Sequence, residues 1–140
     1  MIILDTNVIS EAMAPMPSPR VWQWLTESRI SGEVFTTTVT MAEILYGVEL
    51  LPKGKRRDRL KTEAEAVFTV DFRNRILSFD EPAAHAFAEI AARRRAQGRP
   101  IAEMDAQIAA IARAHHAALA TRNTADFEGC GLCLINPWRD

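Results

Sequence analysis

The chain begins with a short apolar run, Ile2–Leu4, that stops on a carboxylate and two small polar residues, Asp5, Thr6 and Asn7. An unbroken run of Ile and Leu bounded in this way is typical of a strand that is buried on both faces. Ligands of open α/β sheets bind outside the carboxyl ends of the strands. The run therefore predicts a buried strand with Asp5 at the functional edge of the sheet.

Further apolar segments alternate with helical segments along the rest of the chain. Strands are predicted at residues 2–4, 34–37, 76–79, 118–121 and 132–135, and helices at 8–13, 19–30, 40–51, 56–68, 81–97 and 103–115. This alternation favours a parallel sheet with helices on both faces. A length of 140 residues with 48% hydrophobic residues is typical of one globular domain, here residues 1–140.

Several function classes are excluded by simple features of the sequence. No apolar stretch approaches the roughly 20 residues that span a bilayer, and the N-terminus lacks the basic segment of a signal peptide. We therefore expect a cytoplasmic protein without membrane contact. Cys130 and Cys133 lack the context of a redox or zinc motif. They are interpreted as two small apolar residues in the last strand.

Three acidic residues lie at positions from which they can converge: Asp5, Glu43 and Asp105. Each also has a structural explanation. Asp5 could cap the helix that follows it, and Thr40 with Glu43 fits a capping box, in which the glutamate bonds a backbone N–H. Asp105 suits the positive end of a helix dipole. A buried aspartate must nevertheless be paired or bind a cation, and no lysine or arginine is an obvious partner for Asp105.

A polar segment that contains Thr121, Asn123 and Asp126 follows a later predicted strand. In a parallel sheet these residues lie on the same side as Asp5. Together with the three acids they predict an oxygen-rich site of the kind that Mg²⁺ and Mn²⁺ prefer. The sequence contains no recognisable histidine-based triad or serine nucleophile motif, which favours metal-assisted chemistry.

The sequence resembles the PIN-domain ribonucleases, and in particular the VapC/FitB type of toxin from toxin–antitoxin pairs. Four segments carry the resemblance in order along nearly the whole chain: residues 3–11 around Asp5, 40–48 around Glu43, 101–112 around Asp105 and 119–127. The closing Asn136-Pro137-Trp138 is similar to the FitB branch.

This resemblance implies a three-layer α/β/α sandwich with a central, mainly parallel sheet. It also implies Mg²⁺- or Mn²⁺-dependent hydrolysis of RNA. Asp5, Glu43 and Asp105 match the metal-binding acids of the family. Many members carry a fourth acid where this chain has Asn123, and Asp126, about one helical turn later, could substitute through a water. This departure leaves it open whether one or two metal ions bind.

The resemblance assigns supporting roles to other residues and implies partners. Thr6, Asn7, Thr121 and Asn123 are expected to orient metal ligands and water. A small cognate antitoxin that also binds operator DNA is expected to cover the site, and the toxin is expected to form a homodimer. The basic segment at residues 53–61 is either a solvated helix face or an RNA contact, with four candidate residues: Lys53, Lys55, Arg56 and Arg57.

Two alternative functions remain at this point. A phosphatase of the haloacid-dehalogenase type also begins with an apolar strand that ends on aspartate. That chemistry needs a second acid two residues later, where this chain has Asn7. The other alternative is a catalytically inactive PIN-like module that binds RNA or an antitoxin, and Asn123 at the fourth acidic position keeps it open.

Overall fold

Five parallel strands form a single sheet in the order β3-β2-β1-β4-β5. The structure is a computed structural model that describes residues 1–140, apart from the side chain of Ile30. The strands are β1 (Ile2–Leu4), β2 (Val34–Thr37), β3 (Ile76–Leu77), β4 (Ala118–Ala120) and β5 (Leu134–Ile135). From the central β1 the chain winds outward to β2 and β3 on one side and to β4 and β5 on the other. Because the winding direction switches at β1, a crevice forms at the carboxyl ends of the strands.

Six α-helices cover the two faces of the sheet: α1 (Thr6–Met13), α2 (Pro19–Ile30), α3 (Thr38–Glu49), α4 (Lys55–Ala66), α5 (Glu81–Ala96) and α6 (Glu103–Ala114). A π-helical turn, Val67–Asp71, continues α4, and a 3₁₀ helix, Thr124–Phe127, lies between β4 and β5. No helix in the described part of the chain combines the length and the apolar character needed to cross a membrane.

Successive side chains of β1 point into two separate layers of the core. Ile3 packs with residues of α5 and α6, including Ile90 and Ile108, whereas Leu4 packs with residues of α1 to α4, including Val8 and Ile44. Successive side chains of a strand point to opposite faces, so both faces of the sheet are buried. The predicted three-layer α/β/α architecture is therefore confirmed.

Helices α1 and α3 each start two residues before the predicted position, because their polar caps lie earlier than expected. Asp5 caps α1 by accepting a hydrogen bond from the N–H of Thr6 at 2.8 Å, so the helix begins two residues before the predicted start. Thr37 caps α3, and its Oγ1 accepts from the N–H of Thr40 at 3.1 Å. The capping box that was the structural alternative for Thr40 and Glu43 is wrong, since α3 has already begun at Thr38.

The C-terminal region departs furthest from the sequence-based expectation. The 3₁₀ helix was not predicted, and β5 begins at Leu134 rather than at residue 132. Cys130 and Cys133 consequently precede the last strand, so their interpretation as strand residues is wrong. Cys130 is buried in the core, whereas Cys133 is exposed.

Candidate active site

An open cleft of about 450 Å³ lies where the carboxyl ends of β1 and β4 meet helices α3 and α6. The elements that line it are far apart in sequence and are brought together by the parallel sheet. Its walls contain all three acids that the sequence singles out. The lining residues are Asp5, Thr6, Asn7, Ser10, Glu11, Glu43, Asp105, Arg122, Asn123 and Trp138.

Asp5 is held at the base of the cleft with only 5% of its surface exposed. Its Oδ1 accepts from the N–H of Thr6, while its Oδ2 accepts from Thr121 Oγ1 at 2.8 Å and from Asn7 Nδ2 at 3.3 Å. Burial raises the pKa of the Asp5 carboxyl group, although these hydrogen bonds oppose the shift and the charge of Asp126 adds to it. A nearby cation would stabilise the ionised form of this desolvated group.

Glu43 faces the same cleft from α3. Thr6 Oγ1 donates a hydrogen bond to Glu43 Oε1 at 2.9 Å and lies 3.3 Å from Thr40 Oγ1, so a single threonine of α1 contacts two residues of α3. Burial raises the pKa of Glu43; the bond from Thr6 lowers it, and the charge of Asp5 raises it further. The glutamate is therefore oriented toward the cleft.

Asp105 completes the acidic cluster from the first turn of α6. Burial, followed by repulsion from Asp5, Glu43 and Asp126, raises its pKa to about 6. None of the ion pairs among the described side chains includes Asp5, Glu43 or Asp105. Three oxygen donors that repel one another and have no cationic partner fit a divalent cation such as Mg²⁺.

The donors do not form a complete coordination sphere by themselves. In the described residues, no three His, Cys, Asp or Glu side chains are gathered closely enough to hold an ion alone. Mg²⁺ commonly binds through one or two carboxylates and keeps several waters. An open acidic cleft is thus compatible with such an ion.

The two candidates for the fourth acidic position lie in different places. Asn123 lines the cleft, and its N–H donates to Thr121 Oγ1 at 3.1 Å. Asp126 is exposed in the 3₁₀ helix and lies outside the set of cleft-lining residues, although its charge still raises the pKa of Asp5 and of Asp105. The side chain that lines the cleft at this position is therefore a neutral amide.

The supporting polar residues form one hydrogen-bond network beneath the acids. Asn7 Nδ2 donates to both Asp5 Oδ2 and Thr121 Oγ1, each at 3.3 Å. Asn7 Oδ1 accepts from the N–H of Arg122 at 3.2 Å. This network joins the end of β1 to the end of β4, so the polar residues that the sequence groups at two strand ends are neighbours.

The basic candidates at residues 53–61 are dispersed. Arg56 lines a groove that shares Thr6, Ser10 and Glu43 with the acidic cleft. Arg57 is bonded to Glu49, and both Lys53 and Lys55 are exposed and absent from the cleft lining. Of the four residues, only Arg56 lies beside the acidic cluster.

Sequence reasoning missed four residues that line the cleft. Ser10 and Glu11 lie one helical turn after Thr6 and Asn7, so helical spacing could have identified them. Arg122 follows the end of a predicted strand within the segment 119–127, so the parallel-sheet rule that groups Thr121 with Asp5 could have identified it. No local pattern indicates Trp138, because the C-terminal residues reach the cleft only through tertiary folding.

The sequence is similar to that of known proteins over almost its whole length. The model described as "PIN domain" matches residues 2–128. The toxin FitB of Neisseria gonorrhoeae is 42% identical over the whole of both chains. A plasmid stability protein StbB of Pseudomonas syringae pv. tomato is 44% identical over 99% of each chain. The VapC ribonuclease Y4jK of Sinorhizobium fredii is 38% identical over 99% of this chain and 98% of its own.

Solved structures extend the similarity to the fold. FitAB bound to an IR36 DNA fragment superimposes with a TM-score of 0.91 at 41% identity, covering 100% of this chain and 97% of that one. VapBC2 from Rickettsia felis, bound to a DNA fragment from the promoter, gives 0.80 at 25% identity over 97% and 98%. VapBC-5 from Mycobacterium tuberculosis, a member of the VapBC family of toxin–antitoxin systems, gives 0.68 at 26% identity over 96% of each. The chain therefore belongs to the PIN-domain family.

Proposed function

We propose that this protein is the toxin of a type II toxin–antitoxin pair and that it hydrolyses RNA phosphodiester bonds. The observation that carries the proposal is the cluster of Asp5, Glu43 and Asp105 around one open cleft without a cationic partner in the described chain. The similarity to FitB and to a VapC ribonuclease over nearly the full length supports the same activity. We treat residues 1–140 as one nuclease domain.

Asp5, Asp105 and Glu43 would hold Mg²⁺ or Mn²⁺, with Glu43 bound directly or through a water. The bound ion supplies neutralisation of the scissile phosphate and activation of a water for in-line attack. The protein contributes orientation, because Thr121, Asn7 and the N–H of Thr6 fix both oxygens of Asp5. Thr6 likewise fixes Glu43.

Asn123 sets the expected number of metal ions. An amide carries no charge, so the side chain at this position offers weaker support for a second cation than a carboxylate would. Asp126 lies nearby and contributes charge from outside the cleft. We therefore propose one firmly bound ion, held by Asp5 and Asp105, and weaker support for another.

The partners follow from the same relatives. FitAB and VapBC2 were solved as complexes with DNA, and VapBC-5 belongs to a toxin–antitoxin family. We propose a small cognate antitoxin that inhibits the cleft and also binds operator DNA. The toxin itself would assemble as a homodimer.

Incubation of the purified protein with total cellular RNA tests the proposal. We expect discrete fragments with Mg²⁺ or Mn²⁺, none with EDTA, and none from Asp5→Asn, because the metal loses a charged and desolvated ligand. Asp58→Asn is the matched control, since Asp58 is an acid of α4 outside the cleft lining, and it should cleave normally. Failure of the wild-type protein to cleave RNA in either metal would contradict the proposal and favour an inactive binding module.

A further inference from the structure

A single cationic side chain lies at the rim of the acidic cleft. Of the residues that line it, four carry carboxyl groups (Asp5, Glu11, Glu43 and Asp105) and one carries a positive charge, Arg122. Arg122 is exposed and takes part in none of the ion pairs found among the described residues. Its charge is therefore available to an external anion.

The guanidinium of Arg122 is held against an aromatic ring. Its central carbon lies 5.1 Å from the centroid of the Trp138 ring, which also lines the cleft. A stacked guanidinium loses less rotational freedom when it binds a ligand, and its remaining N–H groups stay free to donate. The pair is thus a prearranged donor site at the rim of the cleft.

Backbone contacts fix Arg122 from both sides. Its N–H donates to Asn7 Oδ1 at 3.2 Å, and its carbonyl accepts from Asn136 Nδ2 at 3.5 Å. Asn136 is 4% exposed, and its Oδ1 accepts from the N–H of Trp138 at 2.9 Å. Asn7 also bonds Asp5, so the position of Arg122 is tied both to the acidic cluster and to the C-terminal residues.

We propose that Arg122, stacked on Trp138, binds an RNA phosphate adjacent to the scissile one. The inference rests on the proposed ribonuclease function and adds a substrate contact to it. RNA carries a negative charge at every nucleotide, and a cleft with four carboxyl groups repels the phosphates that flank the reacting one. The planar guanidinium matches two phosphate oxygens and supplies the missing attraction. Arg122 is the binding residue, and Trp138 is a positioning residue that acts through it.

Binding of a short fluorescein-labelled single-stranded RNA of mixed sequence tests the proposal in the Asp5→Asn background, where cleavage is blocked. Affinity is measured across a salt titration. Arg122→Ala should weaken binding about tenfold and reduce the slope of log affinity against log salt by about 0.7, the value for one phosphate contact on a single strand. Arg139→Ala, which removes a neighbouring arginine that does not line the cleft, is the matched control and should leave the slope unchanged.

The positioning role of Trp138 has its own readout. Trp138→Ala should weaken binding less than Arg122→Ala does, and it should add no further loss when Arg122 is already alanine, because the two residues act as a unit. Trp138→Phe retains an aromatic face and should restore most of the affinity. Additive losses from Arg122→Ala and Trp138→Ala would overturn the assigned role of Trp138.

The outcomes separate this proposal from the proposed function. If Arg122→Ala leaves both affinity and salt slope at the Arg139→Ala values, the phosphate site is wrong even when the wild-type protein cleaves RNA. That result would also follow if Arg122 instead contacts an acidic surface of a partner protein. If the wild-type protein fails to cleave RNA but the binding still depends on Arg122, the ribonuclease proposal fails and the phosphate site stands.

Discussion

Asp105 is half-buried within reach of the charges of Asp5 and Glu43, and its carboxyl group resists ionisation. Its pKa in the folded protein, about 6, exceeds the ordinary value of 3.8. The ionised form is therefore better accommodated in the unfolded chain. The metal-free protein loses stability as the pH rises from about 4 to above 6, because that range separates the two pKa values.

Asp105→Asn should remove this penalty and the proposed activity together. Above pH 6 we expect the metal-free variant to gain about 1 kcal/mol in the free energy of unfolding, after allowance for solvent screening of a half-exposed group. RNA cleavage should disappear because a proposed metal ligand is lost. Urea unfolding in EDTA, at about pH 4 and at about pH 7.5, measures the difference. An equal gain at both pH values would show that the cost of ionising the buried Asp105 carboxyl group is not its cause.

At the scale of the elements, the capping residues explain which helix starts can be predicted from the sequence. The predicted starts of α2 and α5 are correct, because Ser18 and Asp80 each cap a helical run that has proline in its first turn. Thr37 was assigned to a strand, yet it ends β2 and caps α3. A residue that serves two elements gives no separate local signal, so the start of that helix was placed too late.

The 3₁₀ helix Thr124–Phe127 depends on a contact that no local pattern encodes. Arg94 of α5 is 5% exposed, and it donates to the carbonyls of Asp126 at 2.7 Å, Glu128 at 3.0 Å and Arg99 at 2.7 Å. A buried guanidinium must have its donors satisfied. The carbonyls around the 3₁₀ helix provide that partner, and they hold the segment that follows Asn123.

Arg94→Ala should therefore loosen this segment selectively. We expect a loss of roughly 3 kcal/mol in the free energy of unfolding, because three carbonyls lose a charged donor and a cavity remains. Arg95→Ala, at an exposed position in the same helix, should cost less than about 0.5 kcal/mol. Urea unfolding gives both values, and hydrogen exchange should show lost protection at residues 124–128. Uniform loss of protection across the whole chain would argue against a local role.

At the scale of the whole molecule, the acids were predictable and the rim of the cleft was not. Asp5 and Thr121 follow parallel strands, and the rule that strand ends meet at one edge was sufficient to group them. Arg122 contacts Trp138 only because the C-terminal residues fold back beside the end of β4. Sequence periodicity indicates which residues share a face of one helix or strand. It does not indicate which side chains come into contact when the C-terminal residues fold back beside β4.

Titration with Mg²⁺ alone tests whether metal binding in the cleft stabilises the folded state. Mg²⁺ that binds only the folded state should raise the unfolding free energy by about 2.7 kcal/mol at one hundred times its dissociation constant. Asp5→Asn should abolish most of this gain, whereas Asp58→Asn should preserve it. Thermal unfolding with a Mg²⁺ titration, followed by EDTA, provides the measurement. Equal stabilisation of wild-type and Asp5→Asn protein would place the ion elsewhere on the molecule.

The pairing of β1 with β4 has a consequence for the synthesis of the protein. Residues 2–4 pair with residues 118–120, and Asp5 Oδ2 accepts a 2.8 Å hydrogen bond from Thr121 Oγ1. A nascent chain that still holds these later residues inside the ribosome lacks the central pairing, the support of Asp5 and the wall that carries Arg122. The protein thus acquires its cleft only near the end of its own translation.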